Sequence, residues 1–162
     1  MPSQRQLIGR PTSPRLAGFS YRGPYRYFIT IRTSGGRRVF TGDWPYAETT
    51  VILSRAAAGS GFDVLAYCFM PDHLHLLVEG NEEADLIKFV REFKHRTAYN
   101  YKKVTGTGLW QRSFYDRILR GGEGTEAVAR YIWNNPVRKG IAASAVEYPF
   151  IGSFVARVAD WF

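Results

Sequence analysis

Two of the chain's three histidines, His73 and His75, are separated only by Leu74 in the run Met70-Pro71-Asp72-His73-Leu74-His75-Leu76-Leu77-Val78-Glu79. Successive side chains of a strand point to opposite faces, so His73 and His75 share one face while Leu74, Leu76 and Val78 share the other. Two imidazoles so placed can share one metal ion, but two ligands do not close a site and a third must come from elsewhere in the fold. The same spacing suits half-buried histidines hydrogen-bonded to neighbours. A second group lies in Ala129-Arg130-Tyr131-Ile132-Trp133-Asn134-Asn135-Pro136-Val137-Arg138. Tyr131 and Asn135 are four apart, so a helix puts the phenol and the amide on one face. The amide oxygen could complete a metal site, and a phenol beside a metal and a phosphate could attack phosphorus. The product would be a phosphotyrosine link that keeps the energy of the broken phosphodiester. By spacing alone Tyr131, one of ten tyrosines, also suits the core side of an amphipathic helix.

The charge balance points toward a phosphate-bearing partner. The chain carries 22 Lys and Arg against 14 Asp and Glu, a net charge of +8, with a pI near 9.8. No acidic residue precedes Asp43, whereas Arg5, Arg10, Arg15, Arg22, Arg26, Arg32, Arg37 and Arg38 all do, and these account for the whole excess. Arginine without lysine suits phosphate contact because the planar guanidinium pairs with oxygens in a bidentate way. A solvated basic tail kept for solubility is the plainer reading.

The elements that must position these groups can be read along the chain. Its 162 residues allow one domain with a real core. Residues 1–24, with four prolines and scattered Gly and Ser, read as a basic flexible arm ahead of one domain over 25–162. From Tyr25 an aromatic and β-branched run predicts a strand, Ser34-Gly35-Gly36 a break, and Arg37–Phe40 a returning strand. Trp44-Pro45 opens a helix over about 46–58, ended by Gly59-Ser60-Gly61. Strands follow over 62–70 and 72–79. The segment Glu82–Val104 should be the longest helix, with Leu86, Phe89, Val90, Phe93 and Thr97 facing the core and Lys88, Arg91, Lys94, His95 and Lys102 left for solvent or DNA. Leu109–Leu119 reads as a strand, Gly121-Gly122 as a turn, and Thr125 as the N-cap of a helix through Tyr131 that Pro136 closes. The tail after Gly140 is uninformative. This order fits an α+β sandwich with a central antiparallel sheet, of which the ferredoxin-like arrangement is the commonest small form. Cys68, the single cysteine, lies in an apolar run and is assigned no chemistry. No apolar run approaches the ~20 residues that span a bilayer, and the N-terminus lacks a signal peptide's apolar centre, so the expected location is cytoplasmic, with no membrane partner.

The two motifs together resemble the REP-associated tyrosine transposases, within the single-tyrosine, IS200-like transposases of the HUH (His-hydrophobic-His) nuclease superfamily. Met70-Pro71-Asp72-His73-Leu74-His75-Leu76-Leu77 resembles that family's Met-Pro-Asn-His-Val-His-Leu-Leu. Leu109-Trp110-Gln111 resembles its Leu-Trp-Gln segment, and Tyr131-Ile132 to Asn135-Pro136-Val137-Arg138 its Tyr-Ile-x-x-Asn-Pro-Val-Arg block. The likeness spans roughly residues 25–154. It implies a ferredoxin-like fold, a divalent metal (Mg²⁺ or Mn²⁺) and a hairpin-bearing single-stranded DNA substrate. Residue by residue it implies His73 and His75 as metal ligands, Asn135 as the third ligand and Tyr131 as the nucleophile. Asp72 stands where the family usually has asparagine, and Tyr25-Arg26-Tyr27-Phe28 departs from its usual strand start. Imidazole ligands would also accept Zn²⁺.

The function expected is therefore metal-dependent cleavage and rejoining of single-stranded DNA near hairpins through a 5′-phosphotyrosine, that is, an endonuclease serving DNA transposition and recombination. The alternative is a non-cleaving DNA- or RNA-binding regulator derived from a transposase. A two-histidine phosphodiesterase is disfavoured, since it needs a second His-containing motif. Tyr115 is a competing nucleophile, but it lacks an amide or carboxylate one helical turn away. Expected DNA contacts are Arg5, Arg10, Arg15 and Arg22 in the arm, Lys94 on the long helix, and Arg138 and Lys139 just past the tyrosine helix. The resemblance leaves both monomer and homodimer open.

Overall fold

The computed structural model describes residues 15–162. Five strands form one antiparallel sheet in the order β4-β1-β3-β2-β5: β1 (Arg26–Arg32), β2 (Phe62–Met70), β3 (His73–Gly80), β4 (Tyr115–Leu119) and β5 (Ile151–Gly152). Helices α1 (Asp43–Gly59) and α2 (Leu86–Thr105) follow β1 and β3, which gives the ferredoxin-like βαββαβ order over the first four strands. A further helix, α3 (Thr125–Trp133), and the single turn α4 (Asn135–Arg138) follow β4.

The period-two pattern of the strands divides the molecule into layers. Tyr27, Ile29 and Ile31 of β1 and Leu74, Leu76 and Val78 of β3 are fully buried on the face covered by α1 and α2. There Tyr27 meets Phe62, Phe62 stacks on Phe89 of α2, and Phe69 of β2 packs edge-on against Tyr46 of α1. All five positions expected on the inner side of α2 are buried. The opposite face carries His73, His75, Phe28, Thr30 and Arg32. Helix α3 packs over its β2 and β3 side, held by Trp133, which is fully buried and donates its indole N–H to the Gly152 carbonyl at 3.0 Å.

Several expectations shift, each for a local physical reason. Arg37–Phe40 is no returning strand. Both edges of β1 are already paired, to β3 and β4, so the Val39 and Phe40 N–H groups turn instead to the Pro71 carbonyl. Helix α1 starts at Asp43, because Pro45 fits the first turn, where an N–H has no partner to lose. Helix α2 starts at Leu86, since the Asp85 carboxylate caps it by accepting from the Lys88 N–H. The strand expected over Leu109–Leu119 shortens to β4, with Trp110 making only a bridge to Thr33. The tail after Gly140 supplies β5.

The arm boundary also moves. Tyr21 is buried, its carbonyl accepts from the Leu86 N–H, and the Gly23 N–H reaches the Ala84 carbonyl. Gly80 lets this segment approach, because a Cβ there would lie 2.8 Å from the Gly23 carbonyl oxygen. Residues 15–24 are thus docked on the domain. Residues 1–14 lie outside the described part.

Candidate active site

The site begins with the pairing of β1 and β3, whose register sets Thr30 opposite His75 and Arg32 opposite His73. His73 and His75 lie on the face away from α1 and α2, as the strand period requires, and their Nε2 atoms face each other at 3.1 Å. Each ring is held from behind. His73 Nδ1 is 2.7 Å from the Asp72 carboxylate, and His75 Nδ1 is 2.9 Å from the Thr30 hydroxyl. A carboxylate only accepts, so His73 donates from Nδ1 and leaves its Nε2 lone pair pointing into the site. The Thr30 hydroxyl serves either tautomer of His75. Phe28 stacks on the His75 ring at 5.3 Å.

Burial lowers the pKa of both histidines. For His73 the Asp72 carboxylate partly opposes this, whereas for His75 the neighbouring His73 and the cations of Arg32, Arg138 and Lys139 add to it. Both imidazoles are therefore kept neutral, the form that ligates a metal.

The second wall is built by α3 and α4. Tyr131 is half-buried, with its ring edge-on to Phe28 at 6.2 Å and the Arg138 guanidinium over its face at 4.3 Å. The helix breaks at Asn134, yet Asn134 keeps right-handed dihedrals and the ladder resumes from Arg138 and Lys139 to the Asn134 and Asn135 carbonyls. The four-residue spacing of Tyr131 and Asn135 thus still puts both on one side. Thr125 is the first helical residue and Gly124 the N-cap. The Thr125 hydroxyl does not cap the helix but accepts from Arg26.

These groups share one cleft of about 140 Å³, with Phe28, Thr30 and Arg32 on its floor, His73 and His75 at its back, and Tyr131, Asn135, Arg138 and Lys139 along one wall. Gln111, Ser113, Phe114 and Tyr115 form the other side. Among the described residues lining it, none is acidic and three carry positive charge. The four residues expected to do chemistry are therefore brought together, and the rival Tyr115 lies in the same cleft. Thr30 and Phe28 were missed. Their alternation in Phe28-Ile29-Thr30-Ile31-Arg32 shows that 28, 30 and 32 share a face, but only the β1–β3 register shows that this face holds the histidines.

The expected DNA contacts separate. Arg138 and Lys139 line the cleft. Arg5 and Arg10 lie outside the described residues. Arg15 stacks on Phe114 at 4.2 Å and is 3.5 Å from the Asp116 carboxylate, and Arg22 is 3.2 Å from the Asp85 carboxylate but largely exposed. Lys94 is used differently from the expectation. Its ammonium donates to the carbonyls of Gln111 at 2.6 Å, Arg112 at 3.1 Å and Ser113 at 3.4 Å. Burial, with some help from Arg15, pulls its pKa down to about 8. Lys94 thus holds the loop that makes the far side of the cleft.

The donor set suits one small cation. Two nitrogens each about 2.1 Å from one ion lie about 3.0 to 3.4 Å apart at angles between a right angle and the tetrahedral value, and the two Nε2 atoms are at 3.1 Å. The buried Asn135 amide lines the same cleft and makes no side-chain hydrogen bond among the described residues.

Comparison with known proteins identifies the family. The family model described as "Transposase IS200 like" matches residues 24–135. The chain belongs to the IS200-like transposase family. It is 29% identical over 140 residues to a Haemophilus influenzae protein assigned to the REP-associated tyrosine transposases, covering 76% of this chain and 77% of that one. It is 32% identical over 90 residues to the ISDra2 transposase TnpA of Deinococcus radiodurans, covering 50% of this chain and 63% of that one. A solved structure of a REP-associated tyrosine transposase bound to a REP hairpin superposes with a TM-score of 0.70, at 20% identity, over 86% of this chain and 82% of that one. This last likeness establishes the shared α+β fold. No helix among the described residues of this IS200-like chain is long and apolar enough to cross a membrane.

If Lys94 anchors the loop, Lys94→Met leaves three carbonyls to solvent and lowers stability by about 1 kcal/mol. Urea melts would show the loss, and limited proteolysis would show earlier cutting within residues 111–114.

Proposed function

We propose that this cleft cleaves and rejoins single-stranded DNA near hairpins, with Tyr131 as the nucleophile and a 5′-phosphotyrosine as the intermediate. What carries the reading is the convergence of four groups on one cationic cleft: the Nε2 atoms of His73 and His75, the Asn135 amide and the Tyr131 phenol. His73 Nε2, His75 Nε2 and the Asn135 amide oxygen would hold a divalent ion, Mg²⁺ or Mn²⁺. Such an ion, when bound, draws charge from the phosphate oxygens and makes phosphorus easier to attack.

The chain's own groups do the rest. Arg32, Arg138 and Lys139 attract the strand's phosphates into the cleft. Arg138 lies over the Tyr131 ring and fixes its plane by a cation–π contact. The phenolic oxygen attacks phosphorus, its proton passing to solvent. The bond from phosphorus to the 3′ oxygen breaks, and that oxygen takes up a proton and leaves as a 3′-hydroxyl. The 5′ side stays bonded to Tyr131, so a second 3′-hydroxyl can reverse the step and join a new strand without an energy source. The solved relative is bound to a REP hairpin, and by analogy a hairpin is the proposed landmark here. Tyr115 shares the cleft, but it lies on β4 opposite Thr30, without the Arg138 stack or an amide one helical turn away.

Incubation with a labelled hairpin oligonucleotide and Mn²⁺, followed by a denaturing gel, should give a covalent protein–DNA band in the wild type and in Tyr115→Phe, and none in Tyr131→Phe. A band that survives in Tyr131→Phe and vanishes in Tyr115→Phe moves the nucleophile. Tight binding with no band in any protein points to a non-cleaving regulator.

Thr30→Val removes the group behind His75 at nearly constant volume. Outer-shell losses of this kind weaken metal binding by about 10–100-fold, which Mn²⁺ titration by calorimetry would measure. Arg5 and Arg10 are the charged side chains of residues 1–14, whereas Arg15 and Arg22 already meet carboxylates. Removing residues 1–14 should therefore flatten the logarithmic salt slope of single-strand binding by about 1.4 if both touch phosphate. An unchanged slope would assign them no contact.

A further inference from the structure

The start of α3 is held in an unusual way. Between β4 and α3 the chain runs Arg120-Gly121-Gly122-Glu123-Gly124, and no side chain caps the helix. Three glycines in five residues give this link little stiffness of its own. Its fixed points are side chains reaching over from the sheet. Arg26, the first residue of β1, donates through Nη1 to the Thr125 hydroxyl and, at 3.5 Å, to the Glu123 carbonyl. Arg117 of β4 donates through Nη1 to the Glu123 carboxylate, whose other oxygen accepts from the Arg120 N–H at 3.3 Å. The remaining Arg117 nitrogens are buried without a hydrogen-bond partner, so Glu123 is the group that balances this cation.

Arg26 lies on the same face of β1 as Thr30, the residue that orients His75. From Arg26 to Thr30 the strand covers about 13 Å, and from Thr125 to Tyr131 the helix covers about 9 Å. One strand therefore carries both the group behind the histidine pair and the group that grips the root of the tyrosine helix. Tyr131 itself sits less than two turns beyond that grip.

We propose that Arg26, Arg117, Glu123 and Thr125 form a positioning clamp that sets the reach of Tyr131 toward the His73–His75 centre. The proposal rests on Tyr131 as the nucleophile and assigns these four residues no contact with DNA. The clamp closes before substrate arrives and keeps the phenol from swinging with the glycine link. Its loss leaves strand binding intact and slows the attack.

The test uses the full chain in three variants: Thr125→Val, which removes the hydroxyl at nearly constant volume, Thr125→Ser, which keeps it, and Glu123→Gln, which keeps shape but loses charge. With saturating hairpin oligonucleotide and Mn²⁺, single-turnover adduct formation should fall about tenfold to a hundredfold in Thr125→Val and Glu123→Gln. Hairpin affinity should stay unchanged, and Thr125→Ser should keep near wild-type rates. Hydrogen–deuterium exchange without DNA should quicken in the first turns of α3 for Thr125→Val and Glu123→Gln and not in β2 or β3. Wild-type rates in both slow variants, equal losses in Thr125→Ser and Thr125→Val, or unchanged exchange in α3 would overturn the clamp. If the wild type yields no Tyr131-dependent adduct, the nucleophile assignment fails instead, and the exchange measurement still decides whether these residues hold the helix.

Discussion

The hydrogen bonding of β1 along both of its edges is the constraint on which the rest of this molecule depends. Pairing with β3 sets Thr30 behind His75, and pairing with β4 brings Tyr115 and Arg117 onto the same face. Register in a sheet is all or nothing, because a slip of one residue turns every side chain to the other face. A slipped β1 would point Phe28, Thr30 and Arg32 into the apolar layer under α1 and α2 and bring Ile29 and Ile31 to the cleft. Burial of Tyr27, Ile29 and Ile31 against the helices therefore also fixes the polar side of the strand. The core and the site are set by one alternation.

The electrostatics of the cleft follow from what it lacks as much as from what it holds. Two imidazoles are kept neutral by burial while Arg32, Arg138 and Lys139 stand around them without a lining carboxylate among the described residues. Asp72, the nearby acid, is engaged by His73 Nδ1. Such a cleft favours a ligand that brings negative charge, as a nucleic-acid backbone does. The cations elsewhere have different tasks. Lys94 holds a loop by three carbonyls, Arg26 and Arg117 hold the root of α3, and Arg15 closes the docked segment against Asp116. A positive charge in the sequence is thus no sure sign of a phosphate contact, since arginine and lysine are also the side chains long enough to bridge elements.

The aromatic residues show the same division of labour. Trp110, in the Leu-Trp-Gln segment, donates its indole N–H to Thr97 at 2.8 Å and packs between Phe40 and Phe93. It belongs to the packing under α2. Phe114 and Tyr115, a few residues later, line the cleft. The change occurs where the chain leaves its bridge to Thr33 and crosses to the other face of the sheet through the loop that Lys94 pins.

The sequence by itself determined the period-two and period-four patterns. His73 and His75 had to share a face of β3, Tyr131 and Asn135 had to share a side of a helix, and Leu86, Phe89, Val90, Phe93 and Thr97 had to face inward, because these relations follow from backbone geometry within one element. The order of elements already pointed to the ferredoxin-like sandwich, and the motifs to the IS200-like family. What only the tertiary structure decided were relations between elements. Residues 37–40 could not be excluded as a strand until both edges of β1 were seen to be filled. Tyr21 read as part of an arm until its partner Leu86 was in place. Thr30, Arg26 and Lys94 gained their tasks from residues 45, 99 and 17 positions away. Local periodicity carries no information about which elements become neighbours, since that choice is made by burying the whole set of apolar faces together.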